Sequence, residues 1–344
     1  MKKIRTFLLS ICIVLTLISY AGAKEKLIFS VTIIRHGDRT PYAELVNKQF
    51  NHLWKEGIGE LTPIGMNQEY MLGCYFRERY VRNFKLLSFN YEYNKIYALS
   101  TDYNRTIMSA QSFLTGLYPP GTGPKLDNGN YALPFGYQLI PVRTIPTDQK
   151  NLINPEKYDN TIYNELMEKY AFTQKIWIDE NNKQSENFNR WSEIFGFKVN
   201  SLKDLLIPGD HLQCDIDHKV KLPGGISKKE AYEIIKTRLR ACAIRFYPKE
   251  IAKFIAGPFM KKLSEDLISA SSSRQKYKFI LYSGHDDSLL GIMSALERPL
   301  EFNPPYASFI SFELYKNNNE YFVKVFYNKK PVILSNDLRS IISL

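Results

Sequence analysis

The sequence predicts an α/β protein with a central mixed sheet flanked by helices, into which a smaller, mainly helical cap domain is inserted. Three observations predict this fold class. Apolar runs of strand length, each followed by a polar loop and a helical pattern, occur near both ends of the chain. The middle of the chain is polar, aromatic and helical in pattern. A pattern typical of an antiparallel hairpin follows the last strand–loop–helix unit.

The first unit begins with KLIFSVTII, a continuous apolar run typical of a strand buried on both faces of a sheet. It leads into the polar loop RHGDR. A helix is predicted in LTPIGMNQEYMLGCYFRERYV, because Thr62 can cap it and Pro63 suits its first turn. A second short strand, KIYALS, precedes a helix in TDYNRTIMSAQSFLTGLY, which PPGTGP ends.

Helical patterns then dominate from about residue 154 to 259, in PEKYDNTIYNELMEKYAF, SENFNRWSEIFGF and SKKEAYEIIKTRLRACAIRFY. The segment YKFILYSGHDDSLLGIMSAL repeats the order of strand, loop and helix. A hairpin with its turn at KNNNE is predicted in ASFISFELYKNNNEYFVKVFYN. We therefore predict an α/β core formed by residues 24–150 and 260–344, with a helical cap at residues 151–259.

Residues 1–23 are predicted to be a cleaved signal peptide. The segment MKKIRT is basic, FLLSICIVLTLISY is apolar over about 14 residues, and AGA suits cleavage after Ala23. A membrane anchor is the alternative, but the apolar run is shorter than the roughly 20 residues of a membrane span. A lipoprotein signal at Cys12 is disfavoured because Ile11 precedes it. We expect a periplasmic or secreted protein without a stable membrane anchor.

The charge pattern bears on the partners of the protein. The formal net charge is +11 and falls to +8 when Lys2, Lys3 and Arg5 leave with the signal peptide. The basic residues are scattered, which disfavours a nucleic-acid polymer as the ligand. A moderately basic surface suits small anionic substrates. The sequence leaves the oligomeric state open, and a dimer is compatible with it.

Three cysteines remain after cleavage, Cys74, Cys214 and Cys242. Export permits disulfides, and we expect Cys214 to pair with Cys242 because both lie in the middle region. Cys74 lies on an apolar helical face and is expected to be a buried free thiol. No Cys/His cluster has the spacing of a metal site, and neither a metal nor another cofactor is expected.

Polar side chains follow three of the predicted strands at the points where the strands end. They are Arg35, His36 and Arg39 after the first strand, Arg105 after the second, and His285 and Asp286 after the last. Because ligands of open α/β sheets bind at the carboxyl ends of the strands, we expect these side chains to share one pocket. Clustered arginines repel one another unless they share an anion, and their planar forks match phosphate oxygens. The grouping predicts a phosphate-binding site.

The motifs RHGDRTP, near the start of the mature chain, and GHD, near its end, resemble the histidine acid phosphatase branch of the histidine phosphatase superfamily. The order of LTPIGMNQEYMLGCYFRERY, STDYNRTIMSAQSFLTGLYPP, LPGGI and NPPYASFISFELY also agrees with that family. The resemblance covers most of the mature chain and is loosest in the helical middle.

This resemblance implies a two-step hydrolysis of phosphomonoesters. His36 is expected to attack phosphorus and form a phosphohistidine, while Asp286 protonates the leaving oxygen. The phosphoryl oxygens are expected to bind Arg35, Arg39, Arg105 and His285. The chemistry of these groups agrees, since arginines oppose protonation of a histidine nucleophile and a proton donor assists a poor leaving group. An acidic pH optimum is expected because neutral His36 must coexist with protonated Asp286.

Several assignments have alternatives. Asp38 fits a substrate contact and a loop-structuring role equally well. Asp287 competes with Asp286 for the acid role or caps the following helix, and the family register favours Asp286. Arg105 has a structural alternative at the start of its helix, paired with Asp102. Tyr42 is a candidate for the pocket entrance. Surface or structural roles are expected for the remaining histidines, His52, His211 and His218.

The expected function is an exported, metal-independent acid phosphatase of broad specificity, acting on small phosphomonoesters such as phosphotyrosine or nucleotides. A phytase or other sugar-phosphate phosphatase is the alternative within the family, but Ser288 stands where phytases usually carry an asparagine. A non-catalytic anion-binding surface protein is the alternative of a different class, and the presence of both His36 and Asp286 disfavours it. Ser308 and Phe309 stand where a cysteine often follows the family motif, so the family's disulfide connectivity does not transfer.

Overall fold

The computed structural model describes residues 25–45, 52–223, 225–334 and 342–343. The expected signal peptide at residues 1–23 lies outside these ranges. Within them, no helix has the length and apolar character that crossing a membrane requires.

A mixed sheet forms the centre of the protein, as the sequence predicts. Its strands are β1 (Lys26–Arg35), β2 (Ile96–Thr101), β3 (Val142–Ile145), β4 (Phe279–Gly284), β5 (Phe309–Asn317), β6 (Glu320–Tyr327), β7 (Lys330–Pro331) and β8 (Ile342–Ser343). They lie in the order β3-β2-β4-β1-β5-β6-β7, and β8 pairs with β6. Strands β1 to β4 are mutually parallel, whereas β5, β6 and β7 join the sheet through antiparallel pairs. The predicted hairpin is the pair β5 and β6.

Helices cover the sheet and build the middle of the chain. Along the described residues they are α1 (Pro63–Phe76), α2 (Asn104–Leu117), α3 (Pro155–Tyr158), α4 (Asn160–Leu166), α5 (Lys175–Gln184), α6 (Phe188–Phe195), α7 (Leu206–Asp217), α8 (Lys228–Ile244), α9 (Lys249–Ser271) and α10 (Asp286–Ala295). The predicted start of α1 is confirmed, because the Thr62 side chain accepts the backbone N–H of Gly65 and Pro63 occupies the first turn.

Each face of the sheet has its own apolar core. On one face, Phe29, Val31 and Ile33 of β1 pack with residues of α9 and α10. On the other face, Ile34 packs with residues of α1 and α2, among them Phe113. Successive side chains of a strand point to opposite faces, so a continuous apolar run can serve both cores. The run KLIFSVTII therefore forms a central strand, as predicted.

The helical middle has a separate core. Trp191 and Phe195 of α6 and Leu212 of α7 pack there with Ile234 and Ile244 of α8. Aromatic side chains of this size bury a large apolar area, which lets the inserted segment hold its own shape.

The long helix α9 joins this helical unit to the sheet and spans the boundary expected from the sequence. It runs unbroken through residue 259, where the cap was expected to end, and contains Pro258. Phe259 and Leu263 of α9 belong to the core on the sheet. We therefore propose that the helical cap ends before α9, near Pro248.

The expected disulfide between Cys214 and Cys242 is wrong. Both residues are buried free thiols, and Cys74 is free and half-buried. The Cys214 thiol donates to the carbonyl oxygen of Arg39 at 3.4 Å, whereas Cys242 lines a pocket beside Arg238. The two thiols lie on different helices with different partners, so proximity along the chain does not pair them.

The loop after β1 packs tightly against the start of α1. A Cβ on Gly37 would overlap the backbone of Gly65, and a Cβ on Gly65 would overlap the carbonyl oxygen of Asp38. The Asp38 carboxylate accepts from the Thr62 hydroxyl, and its backbone N–H donates to the Gln68 side chain at 2.8 Å. Glycine at these two positions is what allows the loop to sit on the helix.

Gly65→Ala is expected to lower the free energy of unfolding by at least about 2 kcal/mol, because the added Cβ must displace the backbone of the loop. Gly257→Ala in α9 is the matched control. A Cβ there meets no atom within 4 Å, so stability should stay constant or rise by up to about 1 kcal/mol through helix propensity. Chemical denaturation measures both, and equal effects would contradict the close contact.

Candidate active site

Three adjacent parallel strands end at one edge of the sheet and bring their polar loops together. Arg35 at the end of β1 is in register with Gly284 at the end of β4, and Ser283 is in register with Ser100 of β2. A pocket of about 260 Å³ lies at this edge. The predicted site residues that line it are His36, Arg39, Arg105, His285 and Asp286, together with Tyr42.

His36 is buried at this edge with one ring nitrogen occupied. Its Nδ1 lies 2.8 Å from the carbonyl oxygen of Gly37. A carbonyl oxygen can only accept, so Nδ1 carries the proton and donates it, which leaves the lone pair of Nε2 free. Burial, followed by the charges of Arg105, Arg35 and Arg39, holds the pKa of His36 well below its ordinary value. His36 is therefore neutral at mildly acidic pH.

Asp286, the first residue of α10, is held by two donors. Its Oδ2 lies 3.1 Å from Nη2 of Arg35 and accepts from Nδ2 of Asn303 at 2.7 Å. Burial opposes ionisation, but Arg35 and the Asn303 hydrogen bond hold the pKa of Asp286 well below its ordinary value. The free protein therefore holds Asp286 ionised, which corrects the expectation that it is protonated at rest.

Among the site residues that sequence reasoning missed, Asn303 and Tyr306 contact the predicted groups directly. The ring centroid of Tyr306 lies 4.3 Å from the guanidinium carbon of Arg35 and 5.9 Å from the centroid of the His36 ring. Arg35 also donates to the carbonyl oxygen of Pro304. These residues belong to the segment NPPYASFISFELY. The position of this segment along the chain supports the family resemblance, but it does not show that the segment contacts the strand ends.

Arg105 faces the pocket from the start of α2. Its Nη1 donates to the carbonyl oxygen of Gly59 at 3.3 Å, and its guanidinium carbon lies 4.7 Å from the centroid of the Tyr103 ring. Burial and then the charge of Arg39 lower the pKa of Arg105 to about 10. Arg105 remains cationic at mildly acidic pH and is available to an anion.

His285 lies beside His36, with the ring centroids 5.6 Å apart. Its side chain accepts the backbone N–H of Ser288 as the cap of α10, and its Nε2 lies 3.0 Å from Oγ1 of Thr101. A neutral imidazole has one acceptor and one donor, so Nε2 carries the proton. Burial and then the charge of Arg105 hold the pKa of His285 well below its ordinary value. Any hydrogen bond from His285 to a phosphoryl oxygen must share this N–H with Thr101.

Asp38 is turned away from the pocket. Its carboxylate accepts from the Thr62 hydroxyl and lies 2.7 Å from Nε2 of His218, and the residue is absent from the pocket lining. These contacts favour the loop-structuring alternative for Asp38. They also give His218 a structural role, and His211 has a comparable one through its Nε2, which donates to the carbonyl oxygen of Ala43 at 2.6 Å.

The sequence profile of the histidine phosphatase superfamily (branch 2) matches residues 26–206 and 239–328 of the chain. The chain belongs to this superfamily. Bovine prostatic acid phosphatase is 30% identical over 320 residues, which cover 90% of this chain and 79% of the relative. Human lysosomal acid phosphatase is 28% identical over 322 residues, which cover 92% of this chain and 74% of the relative.

Solved structures agree on the fold of this histidine phosphatase. The phytase of Citrobacter braakii superposes with a TM-score of 0.69 at 16% identity, covering 93% of this chain and 95% of the phytase. The apo phytase of Hafnia alvei superposes with a TM-score of 0.63 at 18% identity, covering 89% and 85%. Likeness at these identities concerns the fold alone.

Beyond the strand ends, the pocket of this histidine phosphatase has a second polar wall. Asp287 pairs there at 2.9 Å with Arg245, the residue that follows α8. The capping alternative for Asp287 is wrong, because α10 begins at Asp286 and His285 caps it. Burial raises the pKa of Asp287 even beside Arg245. Asp287 therefore remains a chemical competitor of Asp286 for the acid role.

The same wall carries Glu156 of α3, a buried carboxyl group. Burial and then the charge of Asp287 raise the pKa of Glu156 to about 8. Glu156 is therefore neutral at mildly acidic pH, while the neighbouring Lys157 is exposed at the rim of the pocket.

The free energy of unfolding of the wild type is expected to fall as pH rises from about 5.5 to about 7.5, and Glu156→Gln is expected to reduce this fall. Folded Glu156 stays protonated up to its pKa of about 8, whereas unfolded Glu156 ionises above about 4.3. The folded state binds the extra proton in this window, so stability falls as pH rises, at about 1.4 kcal/mol per pH unit. Denaturation in phosphate-free buffer should separate wild type from the variant by about 2–3 kcal/mol over the window.

The control is Glu165→Gln, which removes an exposed carboxylate of α4. Its pH dependence should match that of the wild type. If the stability of Glu156→Gln depends on pH in the same way as that of the wild type and Glu165→Gln, a neutral Glu156 is ruled out.

Proposed function

We propose that the protein is an exported acid phosphatase that hydrolyses small phosphomonoesters through a phosphohistidine on His36. One observation carries this proposal. A neutral, buried histidine with a free Nε2 lone pair lies among arginines where three parallel strands end. The acid phosphatases among the relatives support the activity, and the basic and apolar pattern of residues 1–23 supports export.

In the first step, Nε2 of His36 attacks phosphorus, the N–P bond forms, and the P–O bond to the leaving group breaks. The guanidinium groups of Arg35, Arg39 and Arg105 stabilise the charge on the phosphoryl oxygens, and His285 contributes its N–H. In the second step, water attacks phosphorus, the N–P bond breaks, and inorganic phosphate leaves. His36 returns to its neutral state.

The leaving oxygen needs a proton that ionised Asp286 does not hold in the free protein. Phosphate monoesters have a second pKa near about 6, so at mildly acidic pH the bound monoanion carries a proton. The phosphoryl dianion attracts the Arg35 guanidinium, which then stabilises ionised Asp286 less. The proton therefore passes to Asp286, and Asp286 protonates the leaving oxygen. Asp286 accepts the proton of the attacking water in the second step. The acidic optimum follows from protonation of the substrate.

The charge balance around the pocket favours a substrate with one phosphoryl group. The charged groups are Arg35 with Asp286, Arg39 and Arg238 with Asp210, Arg245 with Asp287, and Arg105. Among the described residues, five arginines and three ionised aspartates leave two positive charges in the free protein, enough for the one or two negative charges of a single phosphoryl group. Among the described residues that line the pocket, Lys157 adds one exposed cation, too few for the many phosphates of phytate. Monoesters such as phosphotyrosine or nucleotides therefore fit better than a phytase substrate.

His36→Ala is expected to lower kcat/KM for 4-nitrophenyl phosphate at least about 10³-fold, because no other group in the pocket replaces the nucleophile. The assay runs from about pH 4 to about pH 8 with EDTA present. Rapid base quenching should trap a phosphorylated protein with the wild type and none with the variant. His52→Ala, which changes an exposed histidine, is the control and should leave activity unchanged. Full activity in His36→Ala would refute the nucleophile assignment, and an inactive wild type would refute the phosphatase proposal.

Asp286→Asn is expected to slow alkyl phosphates about 10²–10⁴-fold, and 4-nitrophenyl phosphate much less, because only poor leaving groups require the proton. Asp287→Asn, the adjacent isosteric change, should slow both substrates by the same factor. The measurement is kcat/KM across a series of leaving groups. If the dependence on leaving group appears with Asp287→Asn instead, the acid is Asp287.

A further inference from the structure

Asp210 of α7 is fully buried, with 0% of its surface exposed, and contacts two arginines. Its two carboxylate oxygens accept from Nη1 and Nη2 of Arg39 at 2.9 and 3.0 Å and from Nη2 of Arg238 at 2.8 Å. It also accepts the backbone N–H of Tyr42 at 3.1 Å. One carboxylate therefore holds two guanidinium groups and the loop that follows β1.

Arg238 belongs to the face of α8 that lines the pocket. Arg238, Cys242 and Arg245 follow one another at spacings of four and three residues, which places them on one side of a helix. All three line the pocket that contains His36. Arg238 thus reaches the pocket from the helical unit, opposite the strand ends.

The packing of α7 on α8 brings Asp210 within reach of Arg238. A Cβ on Gly209 would lie 2.6 Å from Cβ of Arg238, a distance that no side chain tolerates without displacement. Glycine beside Asp210 therefore permits the close approach of the two helices. The arrangement of Asp210 between the two arginines depends on the backbone as well as on charge.

The charges of this cluster do not balance. Burial alone would raise the pKa of Asp210, but Arg39 and Arg238 lower it to about 2. Asp210 is therefore ionised at mildly acidic pH, and two guanidinium groups share its single negative charge. A buried cluster with an excess positive charge is stabilised by an anion in the adjoining pocket.

We propose that Asp210 is a positioning residue that fixes the Arg39 guanidinium for phosphoryl binding, and that Arg238, held by the same carboxylate, is a further anion-binding residue of the pocket. This inference rests on the proposed function, since the anion is the phosphoryl group of the substrate. Both residues lie in the segment 207–238 that the family profile leaves unmatched.

The test measures binding of inorganic phosphate by calorimetry at about pH 5.5 and hydrolysis of 4-nitrophenyl phosphate. Asp210→Asn should weaken phosphate binding at least about tenfold and lower kcat/KM about 10–100-fold, as expected for lost charge-assisted hydrogen bonds. Electrostatics alone predicts the opposite, because removing a negative charge near the pocket strengthens anion binding. Unchanged or tighter phosphate binding would therefore overturn the positioning role.

A double-mutant cycle tests whether Asp210 acts through Arg39. Asp210→Asn combined with Arg39→Gln should lose no more than about threefold beyond Arg39→Gln alone. Fully additive losses would overturn the proposed route. Asp204→Asn is the matched control, because Asp204 accepts the backbone N–H groups of Asn200 and Ser201 at a helix cap. It should lower stability and leave phosphate binding unchanged.

Arg238 has its own pair of variants. Arg238→Gln should weaken phosphate binding at least about fivefold, and Arg238→Lys, which keeps the charge, should stay within about threefold of the wild type. Arg240→Gln, on the same helix but directed to the hydroxyl of Tyr247 and the carbonyl oxygen of Glu301, is the control and should have no effect. Wild-type phosphate binding in Arg238→Gln would overturn the anion-binding role.

Two further outcomes keep the test decisive. If Asp210→Asn shows no cooperative unfolding transition, the double variant Asp210→Asn with Arg238→Gln, which keeps the original net charge of the cluster, is compared with Arg238→Gln alone. A further loss of at least about fivefold in phosphate binding supports positioning, and its absence overturns it. If the wild type binds phosphate but hydrolyses no phosphomonoester, the proposed function fails, while the binding measurements still test Asp210 and Arg238.

Discussion

Compensation of charge among buried arginines is the interaction on which this site depends. Charges interact more strongly in a poorly solvated pocket than in water. Guanidinium groups without negative partners would therefore repel one another and force the strand ends apart. Three aspartates prevent this, Asp210, Asp286 and Asp287, each in contact with at least one arginine. The compensation is incomplete, and in the proposed function a phosphoryl group neutralises the remaining positive charge. We therefore propose that the same carboxylates set the stability of the empty pocket and its affinity for the anion.

The compensating groups come from distant parts of the chain, which gives the helical middle a chemical role. Asp286 and Asp287 follow β4, whereas Asp210 belongs to α7, Arg238 to α8, and Arg245 to the C-terminal end of α8. The separate apolar core of the helical middle holds these helices together. Asp210 also binds the loop after β1 through Arg39 and Tyr42, so the helical middle is part of the proposed phosphoryl site. A cap that only excluded water would not need these buried charges.

The same concentration of positive charge assigns the protonation states. Burial, and then the charges of the nearby guanidinium groups, keep His36 and His285 neutral. Burial opposes the ionisation of Asp286, but Arg35 and the Asn303 hydrogen bond keep it ionised. Glu156 lies farther along the wall, where burial and a neighbouring carboxylate dominate, and there the neutral form is favoured. Two carboxyl groups of one pocket thus differ in protonation. Asp286 is ionised beside a guanidinium group, and Glu156 is neutral beside a carboxylate.

Local patterns in the sequence determined the elements and the motif-bearing half of the site. The apolar run of β1, the cap at Thr62 and the hairpin pattern are local, and so are RHGDR and GHD, whose positions after strands placed His36 and Asp286 at one sheet edge. The tertiary structure decided everything that depends on distance between segments. It placed Asn303 against Asp286 and Asp210 between Arg39 and Arg238, kept Cys214 and Cys242 apart, and left Asp286 ionised. Periodicity records which face of an element is buried, but ion pairs and pKa values depend on which elements meet, and that is settled only by packing.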